Sequence, residues 1–393
     1  MSLYPSHKGA SLTDSLEIAV PRRIVFGRGK AREMAGEIGR LGRRVLLVHG
    51  SRPERVSWLA EELGKSCIVT SVACVKEPDL ALVERAVSLA REHAVDIVVS
   101  VGGGSVIDLG KAVAGLAGAS GGVLDYLEVV GKGEPIDANP LPFVALPTTA
   151  GTGAEATKNA VIDVPEKKRK VSLRDIRMLP DLVIVDPALT DGCPRPVTLA
   201  SGLDAITQLI EPYLSVKATA FTDGLVDRAM PEALKAIRIL SERDEPRARD
   251  AMAWASLSSG MALANAGLGA VHGFAGVIGG ATRAPHGEIC ACLLAASLSV
   301  NSRAAASAGL STARIDEVDA MLSATFADQA GGNGFDKLGT WVRHNGIRGL
   351  SALGLAEGDF ESIAEASKSS SSMRGNMVAL SSADLLEILE RSA

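Results

Sequence analysis

The chain has 393 residues, 47% apolar and 22% charged, which is long enough for two domains with separate cores and too apolar for extensive disorder. Its 41 Lys and Arg against 46 Asp and Glu leave a formal charge of -5, so no basic surplus exists to grip nucleic acid or anionic lipid, and small molecules are the implied partners. Five cysteines without a CxxC pair argue against a disulfide framework; with no targeting signature in residues 1–20 and no uninterrupted apolar run of about 18 residues, a soluble cytoplasmic protein without a membrane partner is expected.

In chain order, "RRVLLVHG" (43–50) reads as a buried strand, "RPERVSWLAEELG" (52–64) as a helix and "SCIVTSVA" (66–73) as the next strand. An amphipathic helix, "ALVERAVSLAREH" (81–93), precedes "VDIVVSVGGGS" (95–105), a strand that runs into glycines. "PFVALPTTAGTG" (142–153) is an apolar run broken by small residues, and "DLVIVDPALT" (181–190) is a strand stopped by Pro187. This rhythm calls for a mostly parallel sheet with helices on both faces. Beyond about residue 195 the pattern turns helical, as in "VTLASGLDAITQLIEPYLS", "DGLVDRAMPEALKAIRILSE" and "RDAMAWASLSSGMALANAG". The expected organisation is an α/β domain over 1–194 followed by an all-helical domain over 195–393, with "SKSSSSMRG" (367–375) as a loop.

Gly102, Gly103, Gly104 and Ser105 follow a strand and open a helix, an arrangement that lets backbone approach an anion at the positive end of a helix dipole. Diphosphate is the natural ligand, although glycines after a strand also make plain tight turns. The segment matches neither the GxGxxG fingerprint nor the GxxxxGK[ST] loop. Thr148, Thr149 and Thr152 add hydroxyls beside flexible backbone that can line a further part of a cofactor. In "SGLDAITQLIEPY", Asp204 and Gln208 are four apart and share one helix face. Asp204 is either a partly exposed or capping residue, or a buried carboxylate that needs a partner. Two of the six histidines, His272 and His286, lie in "GLGAVHGFAGVIGGATRAPHGEI". With Asp204 they would offer one oxygen and two nitrogens to a divalent ion such as Fe(II), Zn or Ni, but sequence spacing does not bring the three together.

Seven segments in order, "IVFGRGK" (24–30), "GGGSVIDLGKAVA" (102–114), "LPTTAGTGAEAT" (146–157), "PDLVIVDPALT" (180–190), "ASGLDAITQLIEPY" (200–213), "GLGAVHGFAG" (267–276) and "APHGE" (284–288), make the chain resemble the iron-containing (group III) alcohol dehydrogenase family over nearly its full length. The resemblance implies the fold shared with dehydroquinate synthase, a dinucleotide domain followed by a helical metal domain, with the active site in the cleft between them and a homodimer or higher homo-oligomer. It implies that the GGGS segment holds the pyrophosphate and the TTAGTG segment lines the nicotinamide. The family's Asp-His-His-His metal set falls on Asp204, Gln208, His272 and His286, so the second ligand is here a glutamine, whose carbonyl is a weaker donor than imidazole. A further family histidine, near the nicotinamide, falls on Gly276, which removes the usual proton relay.

Where the family often has an acid after the first strand, this chain has Gly50, then Ser51 and Arg52; Arg52 either pairs with a 2'-phosphate, favouring NADP over NAD, or is a solvated first helical turn. Asp108 and Lys170 complete the expected cofactor site. The expected reaction is NAD(P)-dependent interconversion of an alcohol with its aldehyde or ketone. Two alternatives stand beside it: metal-free ketone reduction resembling the maleylacetate reductases, with His272 and Lys170 as hydrogen-bond donors, and a nucleotide-binding relative without catalysis.

Overall fold

The computed structural model describes residues 15–167 and 169–393, so most of the segment read for a targeting signature lies outside the described residues. Among the described residues the first half contains β1 (Ile24–Phe26), α1 (Lys30–Ile38), β2 (Arg44–His49), α2 (Ser57–Gly64), β3 (Ile68–Ala73), α3 (Leu80–Glu92), β4 (Ile97–Gly102), α4 (Gly104–Leu116), α5 (Val123–Tyr126), β5 (Phe143–Pro147), β6 (Asn159–Val164), β7 (Arg169–Arg174) and β8 (Leu182–Val185). Six strands form one parallel sheet in the order β1-β8-β5-β4-β2-β3, and β6 and β7 pair as an antiparallel hairpin.

Burial on both faces explains the continuous apolar runs. In β2, Val45 and Leu47 join the cluster containing Ile38, Leu59 and Leu63, while Leu46 and Val48 join the opposite cluster with Val87 and Val113. Period-2 alternation then sends every second side chain to a different core rather than to water.

No strand follows Val185 among the described residues. The second half consists of α6 (Arg195–Leu214), α7 (Ala220–Glu242), α8 (Pro246–Ala266), α9 (Ala270–Thr282), α10 (His286–Ser307), α11 (Ala313–Thr325), α12 (Gly334–His344), α13 (Phe360–Lys368) and α14 (Ser382–Arg391). Thus an α/β dinucleotide-type unit is followed by a helical one, as the sequence pattern implied. α10 packs against α6, α9, α12 and α14. By length and composition α10 could cross a membrane, with a mean hydropathy of 1.4, but 61% of that stretch is buried inside the fold, as expected of a core helix.

The two halves meet where the sheet edge touches α8. Val183 and Val185 of β8 share a cluster with Ala253, Leu257 and Met261, and Phe26 meets Trp254 edge-on at 5.4 Å. Closest of all is Gly153, at φ +57°, against Gly260 of α8: a Cβ on Gly153 would lie 2.5 Å from the Cα of Gly260, and one on Gly260 would lie 2.9 Å from the Cα of Gly153. Backbone cannot retreat as a flexible side chain can, so this seam requires glycine on both sides. Gly260→Val is therefore expected to cost roughly 1–3 kcal/mol and several degrees of Tm. Gly224→Ala on α7, where an added Cβ meets nothing within 4 Å, should be neutral or slightly stabilising in the same melt. Equal behaviour of the two variants would remove the seam from the account.

Candidate active site

The C-terminal ends of β2 and β4 are neighbours at the point where chain order reverses across the sheet, with β3 on one side and β5 and β8 on the other. Crevices at such switch points are where open parallel sheets bind ligands. Gly50, Ser51 and Arg52 follow β2, and Gly103 to Ser105 follow Gly102 at the end of β4; the two strand ends are neighbours, with His49 opposite Val101. Gly103 is the N-cap of α4, whose first amides have no acceptor within the helix before Val106.

Thr149 and Thr152 close over the glycines. A Cβ on Gly103 would stand 3.2 Å from the Thr149 Oγ1, and one on Gly104 would stand 2.7 Å from the Thr152 Oγ1. Thr148 follows β5, its amide donating to the Gly102 carbonyl at 2.9 Å.

Beneath this loop lies a charged group that the sequence reading passed over. Lys111 is fully buried on α4; its Nζ donates to the Ala154 carbonyl at 2.9 Å, to the Thr157 Oγ1 at 2.8 Å and to the Asn159 carbonyl, and lies 3.5 Å from Asp108. The ammonium therefore ties the 154–159 turn to the helix that opens at the glycines. Burial lowers the Lys111 pKa and raises that of Asp108, against their mutual attraction. Glu155 is buried alongside, and desolvation pushes its carboxyl up to about 7.

The second centre stands on three helices. Asp204, Gln208 and Glu211 lie on one face of α6 at the spacing i, i+4, i+7, all buried. His272 sits in the first turn of α9; His286 opens α10, and Cys290 follows one turn later. One ligand-type atom from each of Asp204, His272, His286 and Cys290 falls within 4.8 Å of all the others. Asp204 Oδ1 lies 3.3 Å from His272 Nε2 and 3.8 Å from His286 Nε2, while Cys290 Sγ lies 3.8 Å and 3.6 Å from the same two nitrogens.

Glu211 fixes the orientation. One of its oxygens accepts from the backbone amides of Val271 and His272 at 2.7 and 3.4 Å, capping α9, and the other accepts from His272 Nδ1 at 2.6 Å. With Nδ1 engaged, the lone pair on Nε2 is left for the interior of the group. Gln208, one turn from Asp204, is joined through its Oε1 to Ser259 Oγ of α8 at 3.2 Å. Gly276 lies one turn beyond His272, and an added Cβ there meets nothing within 4 Å.

Electrostatically the group demands a cation. Burial alone would lower both imidazole pKa values, yet Cys290, Glu211 and Asp204 together raise that of His272 well above its ordinary value, and Cys290 and Asp204 push that of His286 up to about 9. Asp204 is held low by His286 and His272 despite its burial. Among the described residues Asp204 Oδ1 is a buried oxygen without a hydrogen-bond partner, a position a metal ion satisfies. Lys170 is not part of this group: its ammonium pairs with Glu77 and lies 3.1 Å from where a Cβ on Gly279 would stand, two helical turns, or about 10 Å, along α9 from His272.

Glu211, Cys290, Lys111 and Glu155 were not singled out in the sequence. The same four-residue spacing that paired Asp204 with Gln208 also pairs His286 with Cys290, so Cys290 had a signal; Lys111 and Glu155 showed only as charges inside apolar or glycine-rich runs.

Known proteins share this layout. Residues 21–187 match the family model described as iron-containing alcohol dehydrogenase, and residues 198–393 match that of the Fe-containing alcohol dehydrogenase family, C-terminal. Long-chain-alcohol dehydrogenase 1 of Geobacillus thermodenitrificans (strain NG80-2) is 37% identical over 69% of this chain and 71% of its own length. The NAD-dependent methanol dehydrogenase of Bacillus methanolicus is 33% identical over 68% and 71% of the two chains. The crystal structure of a 1,3-propanediol oxidoreductase superposes with a TM-score of 0.84 at 28% identity, covering 97% of this chain and all of the other.

Glu155 supplies a pH test of the site's scaffold. Its folded value of about 7 exceeds the ordinary 4.5, so the folded chain holds a proton that the unfolded chain has released. The stability it contributes is present below about pH 4.5 and is lost as pH rises to about 7, on the order of 3 kcal/mol in all. Melting curves of Glu155→Gln and the parent should diverge across that window, the variant gaining relative stability as pH rises. Parallel curves would contradict the assignment.

Proposed function

Because the chain belongs to the iron-containing alcohol dehydrogenase family, we propose that its alcohol–carbonyl chemistry is carried by the group around Asp204, facing the glycine turn across the cleft between a domain of residues 1–194 and one of residues 195–393. The chain is an NAD(P)-dependent oxidoreductase that interconverts alcohols with aldehydes or ketones. The observation that carries the reading of the site is the buried, hydrogen-bond-deficient Asp204 Oδ1 among His272, His286 and Cys290.

Gly102 to Ser105 would receive the cofactor diphosphate on the amides at the start of α4, and Thr148, Thr149 and Thr152 would line the nicotinamide side. Asp108 acts from beneath, through Lys111, which holds the 154–159 turn in place. Gly50, Ser51 and Arg52 would meet the adenosine ribose of NAD or NADP, with a slight lean to NADP because Arg52 is able to pair with a 2'-phosphate. The residues of the second centre fit a divalent ion of the Fe(II), Zn or Ni kind: Asp204, His272 and His286 would hold it, with Gln208 the position of a weak fourth donor. When bound, the ion would polarise the carbonyl or stabilise the alkoxide while hydride moves to or from the nicotinamide.

The protein's own residues orient and exclude. Glu211 keeps His272 Nδ1–H occupied, so that ring presents Nε2 to the site. The space beside Gly276, one turn past His272, is open, and without a side chain there the family's proton relay is missing. Relatives carry names ranging from methanol to long-chain alcohol dehydrogenase, and an aliphatic alcohol with its aldehyde is the substrate class proposed here. The reading includes a cytoplasmic homodimer or higher homo-oligomer.

Protein purified without chelator should carry close to one divalent ion per chain. Dialysis against EDTA should abolish oxidation across an aliphatic alcohol panel, and added Fe(II), Zn or Ni should restore it. Activity indifferent to both steps would reject the metal mechanism in favour of hydrogen-bond assistance from His272. In the nucleotide half, Gly103→Val, which crowds Thr149, should weaken cofactor binding in calorimetry by on the order of tenfold or more, with stability little changed. An unaltered dissociation constant would place the diphosphate elsewhere.

A further inference from the structure

On the reading that Asp204, His272 and His286 hold a divalent ion, we propose that Cys290 supplies the fourth donor, as a thiolate, in place of the glutamine at position 208, and that the resulting set prefers zinc to Fe(II). Four observations carry this. The first is geometry: tetrahedral coordination with bonds of about 2.0–2.3 Å places donor atoms about 3.3–3.6 Å apart. Four of the six donor separations are 3.3 and 3.8 Å from Asp204 Oδ1 to the two imidazole Nε2 atoms, and 3.8 and 3.6 Å from Cys290 Sγ to the same atoms; the other two lie within 4.8 Å. Shifts of a few tenths of an ångström bring those four to tetrahedral spacing.

The second is register. His286 and Cys290 are four apart on α10, so one rigid helix presents both to the same point, as α6 presents Asp204 and Glu211. The third is burial: Cys290 is fully buried, and its sulfur faces the two imidazoles, whereas the neighbouring Cys292 turns to the Ile289 carbonyl at 3.2 Å. The fourth is Gln208, whose terminal oxygen lies toward Ser259 of α8, 3.2 Å from a hydroxyl that also reaches the Ser256 carbonyl at 2.8 Å.

Coordination converts the S–H bond of Cys290 into a sulfur–metal bond and releases the proton to solvent, with no change in oxidation state. The two anionic donors, Asp204 and Cys290, then match the charge of a divalent ion inside a buried site. A soft thiolate favours zinc over Fe(II) more strongly than an amide carbonyl or an imidazole does.

The test reads the sulfur directly. The full-length chain, stripped with chelator, is titrated with Co(II) and separately with Zn and, without oxygen, with Fe(II). Wild type should show the near-ultraviolet thiolate-to-cobalt charge-transfer band and the intense visible bands of tetrahedral Co(II). Cys290→Ser should lose the charge-transfer band and weaken zinc binding by on the order of tenfold to hundredfold, with a smaller loss for Fe(II). Cys292→Ser and Gln208→Ala should keep the band. Gln208→His in the Cys290→Ser background should recover zinc affinity without recovering the charge-transfer band. Stoichiometric Co(II) binding by wild type without a charge-transfer band would overturn the proposal while sparing the metal site, as would a band that survives Cys290→Ser. Failure of wild type to bind any of the three ions would instead remove the metal reading on which the proposal rests. Should Cys290→Ser fail to fold, shown by its metal-free melting curve, the wild-type spectrum decides alone.

Discussion

Two carboxylates buried on one face of α6, Asp204 and Glu211, impose the condition that the rest of the site answers. Desolvating a carboxylate costs several kcal/mol unless opposite charge or well-aimed donors compensate. Glu211 is satisfied locally by the amides that open α9 and by His272. Asp204 is not: its Oδ1 is left to the edges of two imidazoles and lacks an aligned donor among the described residues. The same shortage of positive charge raises the pKa values of both histidines, through Cys290, Glu211 and Asp204 around His272 and through Cys290 and Asp204 around His286. A divalent ion supplies that charge while leaving both rings neutral, which connects the helical packing to the chemistry.

The nucleotide end obeys a steric constraint instead of an electrostatic one. Parallel strands buried on both faces leave their C-terminal ends as the place where backbone can meet a ligand. There the glycines after β4, the threonines after β5 and α8 of the helical half approach so closely that side chains on Gly104, Gly153 or Gly260 would collide. Lys111 adds a buried tether from α4 to the turn after the threonines. The turn at 153–159 is thereby fixed by packing on one side and charge on the other.

How much of this was legible follows from where the information resides. Strands β2, β4, β5 and β8 announce themselves because two-faced burial writes continuous apolar runs, and the long helices because their periodicity extends over many turns. β1, three residues long, and the β6–β7 hairpin, whose outer positions carry charge, lack either signal. Asp204, His272 and His286 stood out through scarcity, spacing and family resemblance, and the three helices do bring them together. Glu211 and Cys290 depend on α6, α9 and α10 meeting, and segments sixty or more residues apart do not declare their contacts in one sequence. The Gly153–Gly260 seam is of the same kind: either glycine alone reads as an ordinary turn or helix residue.

The central claim is that a single metal ion neutralises the buried charge between α6, α9 and α10. Anomalous diffraction from crystals of protein purified without chelator, recorded on both sides of the zinc and iron absorption edges, addresses it most directly. The account predicts one strong peak per chain, about 2.0–2.3 Å from Asp204, from the Nε2 atoms of His272 and His286 and from the Cys290 sulfur. A metal peak elsewhere, or none at this position in protein that turns over alcohol, would contradict it.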